Sequence, residues 1–449
     1  MVCGAASALA VLATASSLIS VADARMVFAH YLLSGLDASL GHAQMDIDDA
    51  AAAGFDAFAL NIGETSASWA VDAATQLFDA ADANNAAGGN FSIFFSFDFY
   101  QEGDITAHEA FFKDYVGRSS YLTYNNKPVV SSFSGASIGA GTWESFKNDN
   151  GVYLIPNPDS EDSYFDSPAT FWQEWGDALD GVFSWETAWP GQSSNPSNVS
   201  DSRDKTVMDG ASDAGKTYIM GLSPLQYKHC CGYNWYRTGE GNLAERMEQI
   251  LELGPEFTEV ISWNDAGESH YIGNCWKESL NDEILAYGNM NSTPHTAWQP
   301  VISSFIDAYK NDATDVGAMV PRDGAQFVGA MWHRPVLKSC VDESGSDGTP
   351  LGNGAALDAL NYAIVLQSDA AMYKVRVWSG GSVIGENYIG AGLNYGTVPG
   401  FTTGQQALEL IDPWGEVVGT ATSVDNVTDT PTNGFCDFNY KVVAVSASS

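Results

Sequence analysis

Positive charge is scarce in this chain: its 449 residues hold 19 Lys+Arg against 56 Asp+Glu, a formal net charge of −37. A field of that sign repels phosphates, which excludes nucleic acid and anionic membrane surfaces as partners and leaves neutral ligands unaffected. Charged residues of either sign are few, 17% against a usual ~25%. The surface must therefore draw on Ser, Thr, Asn and Gly. Beyond residue 24 no stretch approaches the ~20 consecutive apolar residues of a membrane span. The chain also has no C-x-x-C and no H-E-x-x-H, so no metal and no organic cofactor is expected. Aromatic residues are plentiful at 12%, with 13 Trp and 19 Tyr, a supply of flat amphipathic rings for core, interface or ligand stacking.

Residues 1–24 are small or apolar, uncharged until Asp23, and end in Ala22-Asp23-Ala24, an A-x-A pattern. They read as a secretory signal cut before Arg25, although the n-region lacks Lys and Arg. The mature chain is expected outside the cell or at its wall, soluble and monomeric. Removing Cys3 leaves Cys230, Cys231, Cys275, Cys340 and Cys436, most of which an exported protein should oxidise. The expected pairs are Cys340 with Cys436, and one of Cys230 and Cys231 with Cys275. N-x-S/T sequons begin at Asn90, Asn198, Asn291 and Asn426 and suit a glycosylated, eukaryotic exported protein.

From Met26 a short β-branched or aromatic run, a polar turn and a helical pattern alternate eight times. The runs are 26–33, 57–63, 91–98, 128–134, 152–157, 181–186, 217–224 and 258–264. The helical segments are 46–53, 68–86, 107–117, 142–148, 169–178, 202–214, 242–253 and 297–311. This rhythm predicts an α/β fold, a (β/α)8 TIM barrel over 25–312. After about 313 the helical period stops and alternating runs such as 373–378 and 440–443 appear between Gly-rich turns, predicting a C-terminal all-β sandwich over 313–449. That second domain either packs on the barrel or holds glycan.

Chemistry in such a barrel sits where the strands end. His30, Asn61, Asp98, Trp185 with Glu186, and Asn264 with Asp265 occupy those ends. The densest segment is 261–273, where Trp263, Asn264, Asp265, Glu268, His270 and Tyr271 should emerge together at the mouth. Two carboxyls beside aromatic rings are what glycoside hydrolysis needs: one protonates the leaving oxygen, the other activates water or attacks the anomeric carbon. A solvated acidic loop is the bland alternative. Asp98 is either functional, a helix cap or half of an ion pair, and Trp185 and Trp189 either form a sugar platform or fill core. A competing motif, Gly135-Ala136-Ser137-Ile138-Gly139, matches the nucleophile elbow of serine esterases, with His229 and His270 as possible partners of Ser137. The acidic loop 159–166 could hold Ca²⁺, but lacks the regular ligand spacing and reads better as solvated.

The run WNDAGESHYIG at 263–273, with VFAHYL at 27–32, GFDAFALNIG at 54–63, FFSFDF at 94–99 and GVFSWE at 181–186, resembles the fungal α-1,3-glucanase (mutanase) family of glycoside hydrolases. The likeness runs in order over about 25–275. It implies a (β/α)8 barrel with a C-terminal β-sandwich and inverting, endo-acting hydrolysis of α-1,3-glucan. Carried over onto this chain, the family's acids fall on Asp265, Glu268 and Asp98. Asp265 is taken as general base and Glu268 as general acid, roles that can be exchanged, with Asp98 positioning sugar or water. Substrate contacts are expected from His30, Asn61, Trp185, Glu186, Trp189, Trp263, Asn264, His270 and Tyr271. Segment 226–241, with Cys230-Cys231, and Ala266, where Tyr is common, depart from the family pattern near the mouth. A barrel that binds glucan without cleaving it is the alternative from another class.

Overall fold

The computed structural model describes residues 25–37, 41–100, 105–288, 290–341, 350–431 and 434–448; the expected signal segment, 1–24, lies outside them. Eight parallel strands form one curled sheet: β1 (Met26–Leu32), β2 (Ala57–Ile62), β3 (Ser92–Asp98), β4 (Lys127–Phe133), β5 (Tyr153–Ile155), β6 (Gly181–Ser184), β7 (Thr217–Leu222) and β8 (Phe257–Val260). β1 pairs with β2 on one side and with β8 on the other, so the first and last strands are neighbours. The sheet's two ends, β5 and β6, form no ladder, but the Asp180 and Phe183 N–H groups donate to the Leu154 and Pro156 carbonyls at 2.9 and 3.0 Å. β1 and β2 are buried along nearly their whole length. Parallel strands covered on both faces need such near-continuous apolar runs, which is why these strands were legible.

Each strand is followed by helix: α1 (His42–Ala53), α2 (Ser68–Ala86), α3 (Ile105–Tyr115), α4 (Ala140–Asn150), α5 (Pro168–Trp175), α6 (Ser202–Asp213), α7 (Asn242–Leu253) and α8 (Gln299–Lys310). In α7, Leu243, Met247, Ile250 and Leu251 are buried, and Gly254 at φ 60° caps the helix before Pro255 stops it. α1 begins at His42, four residues before the expected segment 46–53, so Asp46 lies inside the helix and is buried.

After α8 come two antiparallel sheets, one of four strands and one of five. Met331, Leu360, Ile364, Val375, Val377, Leu408 and Leu410 from both sheets share one core. This part packs on the parallel-sheet unit through the buried Trp332 Nε1, which donates to the Glu240 carbonyl at 3.0 Å, and through the Tyr236 and Tyr440 hydroxyls, 2.9 Å apart.

Cys340 and Cys436 are bridged, as expected. The second expected pair is not formed. Cys275 is fully buried with its thiol on the Asn264 carbonyl, while Cys230 and Cys231 sit at a hairpin tip 3.0 Å from each other. The sequon asparagines Asn90, Asn198, Asn291 and Asn426 are all exposed.

Candidate active site

The chain leaves β8 and turns back over the C-terminal ends of the strands. Ser262 fixes the start of this loop: its hydroxyl accepts from the Asp265 N–H at 2.8 Å and meets His270 Nδ1 at 3.0 Å. The Asn264 amide is pinned to β1, accepting from the Leu32 N–H at 2.8 Å and donating to the Leu32 carbonyl at 2.9 Å. The result brings Asp265, Glu268 and His270 together, with one ligand-type atom of each within 4.8 Å of the others. His270 Nε2 lies 3.6 Å from Asp265 Oδ2 and 3.4 Å from Glu268 Oε2, and the ring itself is fully buried.

The two acids have unequal surroundings. The hairpin 226–237 lies across Glu268: Gln226 Nε2 donates to Glu268 Oε2 at 2.6 Å and Lys228 Nζ lies 3.3 Å from Oε1. Burial alone would raise Glu268, but His270, Lys228 and Gln226 outweigh it and hold the carboxyl below its ordinary range. Asp265 is moved the other way. Burial pushes it up, His270 pulls it back, and the Glu268 charge adds to the push. Side by side stand a carboxyl raised above its ordinary range and one held below it, the usual signature of an acid–base pair.

The other predicted residues separate into those at the mouth and those beneath it. Asp98 and Asn61 line a cleft of about 270 Å³ with Ser34, Glu64, Trp69 and Tyr100. Trp185 and Trp189 pack against His270 with ring centroids 6.0 and 5.7 Å away, both rings nearly buried. Glu186 is exposed and holds Arg237 at 2.8 Å, and Arg237 lies over the Trp189 ring. His30 is buried, with Nδ1 2.7 Å from Glu259 Oε1 and its ring against Trp185, so it supports the site from below. Trp263 and Tyr271 are corrections. Trp263 is fully buried against Phe55 and Phe58 and donates to Asp46; a side chain on Gly273 would strike its ring. Tyr271 is fully buried, donates to the Thr293 carbonyl and stacks on His295. Aromatic character beside two acids suggested sugar contacts, whereas these rings anchor the loop from inside.

Three residues that the sequence did not mark as belonging to the site complete the picture. Gln226 and Lys228 are two. The third is Asp46, which accepts from Tyr31, Trp263, Asn274 and Trp276 and so ties the loop to α1. The serine-esterase arrangement is not assembled: His270 is committed to Ser262 and the two acids, and His229 stacks on Phe435.

The acidic loop 159–166 is helical over 162–166 and keeps Asp162 and Asp166 exposed, while Asp159 accepts from the Glu186 N–H at 2.6 Å. Burial pushes the Asp159 carboxyl up to about 7. A carboxyl raised in the folded state adds stability that is complete below its unfolded value and is lost as pH rises through the folded one. Asp159→Asn should therefore gain less melting temperature over the parent at pH 5 than at pH 8. Parallel thermal scans check this, and equal shifts at both pH values would refute it. The parent is the right reference because His295 and His333, pushed down by burial to about 3 and about 4, act in the opposite sense below pH 6.5.

Among known proteins, the family profile described as Glycosyl hydrolase family 71 matches residues 23–449. A mutanase of Penicillium rubens is 31% identical over 80% of this chain and 76% of its own length. A glucan endo-1,3-alpha-glucosidase of Schizosaccharomyces pombe is 28% identical over 92% of this chain and 95% of its own length. The GH99 endo-alpha-mannosidase of Bacteroides thetaiotaomicron is similar in fold, with a TM-score of 0.50 at 11% identity, over 64% of this chain and 98% of that one.

Proposed function

We propose, from the premise that the chain belongs to glycosyl hydrolase family 71, that it hydrolyses the α-1,3-glucosidic bonds of α-1,3-glucan in an endo-acting manner. It is a glycoside hydrolase whose substrate is a neutral polysaccharide, in keeping with its strong negative charge. The observation that carries the reading is the Asp265–His270–Glu268 constellation. Glu268, held ionised by Gln226, Lys228 and His270, takes a proton from the attacking water. Asp265, raised by burial, is the group that donates a proton to the leaving glycosidic oxygen. This is the exchanged form of the assignment suggested by sequence. Asp98 and Asn61, with the exposed faces of Trp69 and Tyr100, orient the sugar in the adjoining cleft.

We further propose a closed (β/α)8 barrel over 25–312, supported by the two backbone hydrogen bonds across β5 and β6, followed by a β-sandwich over 313–449. The protein acts as a secreted monomer at or outside the cell wall. The Cys340–Cys436 bridge and the exposed sequons support export, and among the described residues no helix is long and apolar enough to cross a membrane.

Hydrolysis is proposed to invert the anomeric centre, on the likeness of the motifs to the α-1,3-glucanase family. An intervening water needs ~6.5–9.5 Å between carboxyl groups, and the nearest oxygens of Asp265 and Glu268 are within 4.8 Å. The two side chains must part as sugar enters, or Asp98 must share the work. Proton NMR of the first turnovers on a soluble α-1,3-oligosaccharide should show the β anomer of the new reducing end; an α anomer first would mean retention.

A further inference from the structure

We propose that Cys230 and Cys231 close to a vicinal disulfide, and that this ring at the tip of the hairpin 226–237 keeps Gln226 and Lys228 on Glu268. The hairpin pairs Cys230 with Tyr233, so Cys231 and Gly232 form a two-residue turn. Their φ values, 60° and 81°, are both left-handed, as the turns that match strand twist require. Asn or Asp is the usual occupant of the first position, because an ordinary side chain there is strained. A cysteine at that place, directly after another cysteine and with the sulfurs 3.0 Å apart, has a reason if the two are bonded.

The surroundings agree. The Cys340–Cys436 bridge shows that the folded chain meets an oxidising environment. Cys275, the remaining cysteine among the described residues without a bridge, is fully buried with its thiol on the Asn264 carbonyl. Glu283 stands close enough to make a three-residue metal cluster with the two thiols, but its carboxylate already accepts from the Cys231 N–H at 2.7 Å. Burial also pushes the Cys230 thiol up to about 11, which disfavours the thiolate that a metal requires.

Closure is a thiol–disulfide exchange. The exposed Cys231, as thiolate, attacks a small-molecule or protein disulfide and expels one thiolate. Cys230, deprotonated in turn, then attacks the mixed disulfide and expels the second. The pair loses two electrons and two protons, and the reagent is reduced to two thiols. Adjacent Cα atoms are ~3.8 Å apart, below the ~4.4–6.8 Å of ordinary bridges. The ring is therefore strained and should be reduced before the buried Cys340–Cys436 bond. Its effect on activity follows from the hairpin's base, where Gln226, the Tyr227 N–H and Lys228 all bind Glu268. This second half of the proposal rests on Glu268 being catalytic; the first does not.

The test uses the full chain equilibrated with glutathione disulfide, alkylated under denaturing conditions and digested. The peptide holding Cys230 and Cys231 should be unalkylated and lighter by two hydrogens than its dithiol form, with Cys275 alkylated. Alkylation of both tip cysteines, a Cys231–Cys275 link, or co-purified zinc or copper on the thiols would overturn the ring. Mild reduction, and separately the Cys230→Ser/Cys231→Ser protein, should lower kcat several-fold and move the acidic limb of the pH–rate profile upward, because Glu268 loses donors that keep it ionised. An unmoved limb overturns the positioning role even if the ring is found. A ring in a protein that cleaves no glucan would instead contradict the catalytic reading.

Discussion

Glu268→Gln should lose about 100- to 10,000-fold of kcat on α-1,3-glucan, the range that one general acid or base supplies, while folding normally. The amide keeps the shape that Gln226 and His270 contact but cannot accept a proton from water. Asp265→Asn should lose a comparable factor on the polysaccharide for a different reason, since the amide has no proton to give the departing oxygen. The two variants separate on a substrate whose leaving group needs no protonation. On an α-glucoside of an acidic phenol, Asp265→Asn should recover much of its activity and Glu268→Gln should not. Recovery by Glu268→Gln alone would restore the assignment with Asp265 as base. The unequal surroundings of the two acids make this experiment decisive. Lys228, Gln226 and His270 together hold Glu268 down, while for Asp265 burial and the Glu268 charge outweigh the pull of His270.

The largest effect on stability is expected at Arg246. Its side chain and that of Asp204 are wholly buried, with Arg246 Nη1 2.8 Å from Asp204 Oδ2. The guanidinium also donates to the Gly221 carbonyl, and Asp204 accepts from Thr187 and Tyr218. The pair thus clamps α6, α7 and β7 to the turn that presents Trp185 and Trp189. Arg246→Met strands a carboxylate in the interior and should cost about 3–5 kcal/mol, seen as a lower urea midpoint at unchanged slope. Converting both residues to apolar ones should recover most of that loss, since it is the unpaired charge that is expensive. A double variant no better than the single would show that the Thr187 and Tyr218 hydrogen bonds, and not the charge, are what matter.

Most of the architecture could be read from sequence because parallel strands covered on both faces leave runs such as Met26–Leu32. The helical pattern starts at 46, four residues inside the helix 42–53, because an acid such as Asp46 suits a first turn, a favourable place for negative charge. Nothing local says that two tryptophans far along the chain will bury their N–H groups on it. The hairpin 226–237 escaped for the opposite reason. Its turn is Cys-Gly and not the Asn-Gly that announces a hairpin, so the alternation that places Gln226 and Lys228 on one face went unrecognised. The strand-end rule points to Asp98, Asp265 and Glu268, but gives no means of telling Trp263, which turns inward, from Trp185, which lies against His270. Nor can spacing alone tell which carboxyl is raised and which is lowered, because that depends on the cation and amide brought in by the hairpin.

On the proposed reading, Asp265 and Glu268 carry out the cleavage of α-1,3-glucan. Sizing the products of α-1,3-, α-1,4- and β-1,3-glucan incubated side by side with the parent protein and with the Asp265→Asn/Glu268→Gln protein decides the matter. Short oligosaccharides are expected from α-1,3-glucan alone, and none from the double variant. Equal release by the parent and the double variant, or binding of α-1,3-glucan with no release by either, would contradict it.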